Sequence, residues 1–185
     1  MTLLILGLLL WTFAHFFKRM APAARASMDD RMGSGAKGII ALLLVASIVL
    51  MVIGYKNADG AFYWGRSPAM VGINNLLMLL SIGLFGVNSS KSRLRGKVRH
   101  GMLSGVLVWA IAHLLVNGDT ASFVLFGGLA AWAVAQMIIL NRTTEPDPPF
   151  EGGSVAGDIR LLIITLVVYA VVSAVHIWLG YPPFG

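Results

Sequence analysis

The sequence predicts an all-α fold: a polytopic helical membrane bundle with six transmembrane helices and both termini on the non-cytoplasmic side. Three observations predict it. Hydrophobic residues make up 57% of the 185 residues and charged residues only 12%, whereas a soluble domain carries about 25% charge. Six apolar stretches come near the roughly 20 residues that a helix needs to cross the hydrocarbon core, and none of them contains Asp, Glu, Lys or Arg. The connections between them alternate strictly in basic charge. We read the whole of 1–185 as a single transmembrane domain.

In chain order the predicted spans are 2–17, 38–55, 68–88, 101–116, 121–140 and 161–181. The first and fourth are short and borrow flanking residues such as Lys18 and Arg99, whose aliphatic stems can snorkel to the interface. Between spans one and two lie Lys18, Arg19, Arg25, Arg31 and Lys37; between three and four, Lys91, Arg93, Arg95, Lys97 and Arg99. Arg142 and Arg160 follow span five, and only Lys56 and Arg66 fall on the other side. The positive-inside rule puts the richer side in the cytoplasm. Four spans with two core helices is the alternative topology. The positive residues follow the first apolar run instead of preceding it, so it is expected to be retained as a span and not cleaved as a signal peptide. The stretch 145–153 (EPDPPFEGG) reads as a Pro/Gly-rich loop, and Asn117-Gly118-Asp119 as a tight turn.

Composition also excludes function classes. There is no cysteine, which removes disulfide frameworks, thiolate metal sites, covalently attached haem and thiol nucleophiles. The net charge of +6 is what basic loops give a membrane chain, so the expected partner is the lipid bilayer and not nucleic acid. A homo-oligomer or a larger membrane complex is the protein partner open to it.

With no charged residue in any span, the four histidines are the ionisable groups near the bilayer that can do chemistry. Span one runs inward and spans four and six run outward. His15 and His100 therefore sit at the inner level, and His113 and His176 at the outer level. His100 and His113 are separated by 13 residues on one helix, about 20 Å at 1.5 Å per residue, so they cannot share an ion. Neutral imidazole is a metal ligand and a haem axial ligand. One matched-depth pair is the candidate for b-type haem; each His hydrogen-bonding a neighbouring helix is the structural alternative. Span four also aligns Val106, Trp109, His113 and Asn117 on one face, with Trp109 either a packing aromatic or a cofactor wall. Gly101 and Gly105 form a GxxxG that admits a close helix neighbour.

The run Arg99-His100-Gly101-Met102-Leu103, continued by Trp109-Ala110-Ile111-Ala112-His113-Leu114-Leu115-Val116-Asn117-Gly118-Asp119, resembles the NnrU family of bacterial membrane proteins associated with denitrification and the response to nitric oxide. The resemblance extends to His15, to Arg25, and to Leu125-Phe126-Gly127-Gly128 ahead of Trp132. Gly101 stands where the family pattern has Pro. Relatedness of this family to the zeta-carotene isomerase, a membrane enzyme holding haem b through histidines, implies haem for His15, His100 and His113, with His176 a weaker correspondence. It also implies a multi-pass protein of the bacterial inner membrane. Arg99-His100 bears a more distant similarity to membrane methyltransferases, in which an Arg-His-Pro motif contacts S-adenosylmethionine.

The resulting candidate site residues are His15, His100, His113 and His176 as haem-iron ligands in one pair, with Trp109 and Arg99 beside them. The first functional expectation is haem binding in nitric oxide or denitrification-linked redox metabolism. The alternatives are a non-catalytic accessory protein and a lipid-phase enzyme, either a carotenoid cis-trans isomerase or a methyltransferase. Whether the chain is an enzyme at all stays open at this level.

Overall fold

The computed structural model describes residues 1–146, 148 and 150–184, and most of these are helical. Among the described residues, five helical runs are long and apolar enough to cross a membrane: Thr2–Met20 (α1), Ser34–Lys56 (α3), Pro68–Val87 (α4), Thr120–Thr143 and Val155–Trp178 (α8). Gly101–Val116 (α5) is apolar but has 16 residues, about 24 Å of rise against a core of about 30 Å. Long apolar side chains cover the open faces of these helices, among them Leu9, Leu42, Leu76, Leu162 and Val171. Such surface is tolerated by lipid and not by water, and the chain is a membrane protein.

Helix ends differ from the hydropathy limits for identifiable reasons. The last helix begins at Val155 and not at Leu161, because the Ser154 hydroxyl caps it by accepting from the Gly157 N–H at 3.0 Å and Asp158 favours the first turn. It ends at Trp178, short of Tyr181. The first helix continues to Met20 with Lys18 and Arg19 in its last turn, where cations suit the helix dipole. The basic connection after it is not a loop: Pro22–Met32 forms helix α2, with Pro at its first position and an Arg25–Asp29 ion pair. The Thr120–Thr143 run is built from Thr120–Ser122 (α6), a π-helical turn at Phe123–Gly127, and Gly128–Thr143 (α7). Asn117-Gly118-Asp119 is not a tight turn. Gly118–Asp119 is a short strand (β2), and Asp119 caps the following helix by accepting from the Ser122 N–H at 2.9 Å. The other strand, β1, is Phe62–Trp64. In 145–153, Asp147 and Pro149 lie outside the described residues; those described there are not helical.

The chain divides into two compact units. The first comprises 1–62 and 119–128. Its seam is α1 against α3, where glycines bring backbones together. A Cβ at Gly54 would collide with the backbone of Leu4, and one at Gly7 would come within 2.8 Å of the Met51 nitrogen and the Ser47 carbonyl. The buried Leu4, Ala14, Ala36 and Met51 fill the remainder. Tyr55 and Ser122 share a hydrogen bond of 2.8 Å.

The second unit comprises 63–118 and 129–185, with α4 packed against both α5 and α8. The GxxxG of α5 lies in the α4 seam, as its pattern predicts. Gly105 faces the Ser81 carbonyl and the Phe85 ring, and Ser81 Oγ donates to the Gly105 carbonyl at 2.8 Å. The Gly101 N–H donates to Asn88 Oδ1 at 2.6 Å, a bond that proline at this position would remove. The 88–100 connection is clasped to the start of α8: Asp158 accepts from Ser92 Oγ at 2.7 Å and from Arg93 Nε at 2.6 Å.

Candidate functional site

Near the C-terminal ends of α5 and α8, the second unit encloses a cavity of about 290 Å³ lined by both His113 and His176. Each imidazole is fixed by its own helix. His113 Nδ1 lies 2.9 Å from the Trp109 carbonyl, and His176 Nδ1 lies 2.8 Å from the Val172 carbonyl. A carbonyl can only accept, so Nδ1 carries the proton in each ring and the lone pair sits on Nε2. That is the tautomer with which a metal-ligating histidine is usually held. The Trp109 ring packs on His113 with centroids 4.8 Å apart.

Polar groups converge on the same cavity. Asn74 lies inside α4, only 8% exposed, and its Oδ1 has no hydrogen-bond partner among the described residues. Leaving a buried acceptor unsatisfied costs about 1–3 kcal/mol, so this atom marks a place where a ligand or water is wanted. After α8 the chain reverses through Gly180, whose φ of +86° is a left-handed conformation. The Tyr181 N–H reaches the His176 carbonyl at 2.8 Å and the Gly180 N–H reaches Ile177 at 3.0 Å, the paired bonds of a Schellman cap. The tail then returns along the cavity. Arg66 Nη1 donates to the Pro182 carbonyl at 2.8 Å, and Asn75 Nδ2 to that of Pro183 at 3.2 Å.

A second, apolar cavity of about 450 Å³ lies between α4, α5 and α8 and includes Ile82, Phe85, Trp109 and Ile164. Met78 and Val172 line both spaces, so the two adjoin. Together they fall within the roughly 300–1,000 Å³ typical of ligand sites, with imidazoles and amides at one end and hydrocarbon at the other.

The remaining candidates lie elsewhere. His15 belongs to the first unit, where its Nδ1 is 2.9 Å from the Trp11 carbonyl and its ring 4.3 Å from that of Trp11. His100 lines a separate cleft of the second unit, and its Nε2 is 2.8 Å from Asn141 Oδ1; a carboxamide oxygen accepts, so here the proton is on Nε2. Arg99 donates through Nη2 to the Thr144 carbonyl at 2.8 Å. Among the described residues no group of three or more His, Asp or Glu is placed to hold a metal ion. Sequence reasoning missed Arg66, Asn74, Asn75, Tyr169 and Ser173, all of which line the His113–His176 cavity. A signal for some of them was present: Asn74-Asn75 interrupts an otherwise apolar span, and Tyr169, Ser173 and His176 follow one face of α8 at helical spacing. Also unread was a repeat, Trp-x-x-x-His at Trp11/His15 and again at Trp109/His113, each built with the same carbonyl bond.

The family described as NnrU protein matches residues 3–183, nearly the whole chain. No curated protein and no solved structure matches it.

Proposed function

The chain belongs to the NnrU family, and from that premise we propose a six-span protein of the bacterial inner membrane that binds b-type haem through His113 and His176 and serves nitric oxide or denitrification-linked redox metabolism. In this reading α5 is the sixth, short span, and both termini lie on the non-cytoplasmic side. The observation that carries the proposal is the shared cavity of the two imidazoles, each with Nδ1 tied to its own helix, which makes Nε2 the nitrogen that would ligate.

The residues present fit the group. Imidazoles from two different helices are the donor set of a bis-histidine site, and the adjoining cavity offers the apolar lining that a macrocycle's hydrocarbon would need. His113 and His176 would hold the iron, Trp109 would wall one side, and Arg66 is the cation at hand for a propionate. Haem bound there would supply an iron able to change redox state and to bind a small ligand, as nitric oxide binding or electron transfer requires. The protein's own contribution is to fix ring orientation through the Trp109 and Val172 carbonyls and to exclude water with Met78, Phe85 and Ile164.

A pyridine haemochrome assay on the purified chain tests this. The expected result is haem in the parent protein and in the His15→Ala and His100→Ala variants, and none in His113→Ala or His176→Ala. A folded but colourless parent protein rejects haem and leaves the accessory-protein reading in its place.

A further inference from the structure

The connection between α4 and α5 carries a basic residue at every second position: Lys91, Arg93, Arg95, Lys97 and Arg99. Topology rules account for their number but not for how the fold uses them. Arg93 is neutralised, its Nε 2.6 Å from Asp158 Oδ2. Arg95, Lys97 and Arg99 instead line one cleft of about 850 Å³, at the N-terminal end of α5, together with His100, Phe150 and Glu151.

Neutral groups orient the two arginines. Arg95 lies over the Phe150 ring, 4.2 Å from its centroid, and Nη1 donates to the Ser90 carbonyl at 3.3 Å. Arg99 is held by the Thr144 carbonyl. A ring and two carbonyls fix direction without cancelling charge. Among the described residues the cleft presents three cations to one carboxylate, and no ion pair joins them. The first turn of α5 opens into the same cleft, with the Gly101 N–H taken by Asn88 Oδ1 and no cap bond from the His100 side chain, which adds the positive end of a 16-residue helix.

We propose that this cleft binds a phosphate group, and that the phosphate is the headgroup of an anionic phospholipid. Guanidinium forks held in fixed orientation match phosphate oxygens. The lipid source follows from what lies alongside. An apolar groove of about 300 Å³ between α4 and α8, lined by Leu79, Leu80, Leu84, Leu161 and Leu162, shares Val98 with the cleft. A phosphate seated on Arg95 and Arg99 thus has a hydrocarbon trough beside it for an acyl chain, which a soluble phosphate would leave unused. The cleft shares no residue with the His113–His176 cavity, and the proposal is independent of haem.

The test is thermal unfolding of the full-length purified chain in a neutral detergent, titrated with phosphatidylglycerol, zwitterionic phosphatidylcholine or inorganic phosphate. Phosphatidylglycerol is expected to raise the midpoint and phosphatidylcholine to leave it unchanged. Lys97→Gln is the cleanest variant, because its ammonium makes no hydrogen bond or ion pair among the described residues. It should raise the half-saturating lipid concentration about fivefold, and Arg95→Gln with Arg99→Gln about 25-fold. Arg31→Gln, which removes a charge from α2 of the other unit, controls for net charge and should change nothing. If inorganic phosphate alone reproduces the shift and Lys97→Gln weakens it, the phosphate site stands and the lipid source is overturned. An equal loss in Arg31→Gln and Lys97→Gln, or no shift with any phosphate, overturns the site itself.

Discussion

The second unit holds two pockets with imidazole in their walls, and they use it differently. In the cavity at the C-terminal ends of α5 and α8, both rings give their Nδ1 proton to a carbonyl four residues back on the same helix. In the cleft at the N-terminal end of α5, the His100 ring spends its Nε2 proton on a side chain of another helix, Asn141. The first arrangement is self-contained: each ring is held by the helix that carries it. The second is a cross-brace. Residue identity alone does not make a ligand: the nitrogen that is engaged, and what engages it, does.

The comparison can be broken most sharply by deletion. His113→Ala and His176→Ala are expected to abolish haem occupancy, whereas His100→Ala leaves occupancy intact and loosens the Asn141 brace, which absorption spectra and thermal unfolding on the same samples would separate. A smaller but still large effect is expected from Gly101→Val. Its Cβ would strike Asn88 Oδ1 and the Leu84 carbonyl, so the α4–α5 seam must part at a cost of about 1–3 kcal/mol or more, read as a fall in detergent unfolding temperature. Asn74→Leu sharpens the contrast from the other direction. Removing its unpartnered oxygen offsets the loss of its Nδ2 bond to Asn75 Oδ1 at 3.2 Å, so ligand-free stability should change by less than about 1 kcal/mol, while haem occupancy falls. The smallest expected effect is that of Ser81→Ala, about 0.6 kcal/mol for one interhelical bond between membrane helices.

Much of this architecture was legible in the residues. The span 101–116 coincides with α5 because Gly101 and Asn117 bracket it chemically as well as by hydropathy. The GxxxG signalled a close seam, and the close seam is there. Limits at charged flanks were not legible, since hydropathy stops at Arg160 and Lys37 whereas the α-helix continues through them. Helix α2 went unread because it is amphiphilic neither to the core nor to lipid; Pro22 and the Arg25–Asp29 pair define it locally. For the candidate site, residue counting gives depth along a helix but not the direction a residue faces relative to other helices. That is why four histidines sorted into levels, while only the packing of α4 against α5 and α8 brought His113, His176, Asn74 and Asn75 around one space. Arg66 and the tail carbonyls were beyond reach for the same reason: their bonds span more than a hundred residues of sequence.

The Schellman turn at Gly180 has a bearing on how anything gets in. The segment from Tyr181 to Pro183 forms one wall of the histidine cavity, and two donors, on Arg66 and Asn75, pin it by main-chain oxygens. Swinging that segment aside would break those two hydrogen bonds and part the Phe184 ring from that of Tyr169, which is what admitting a bulky guest by that route would cost. Reporter proteins are better fused at the opposite terminus, where they do not tug on the hinge.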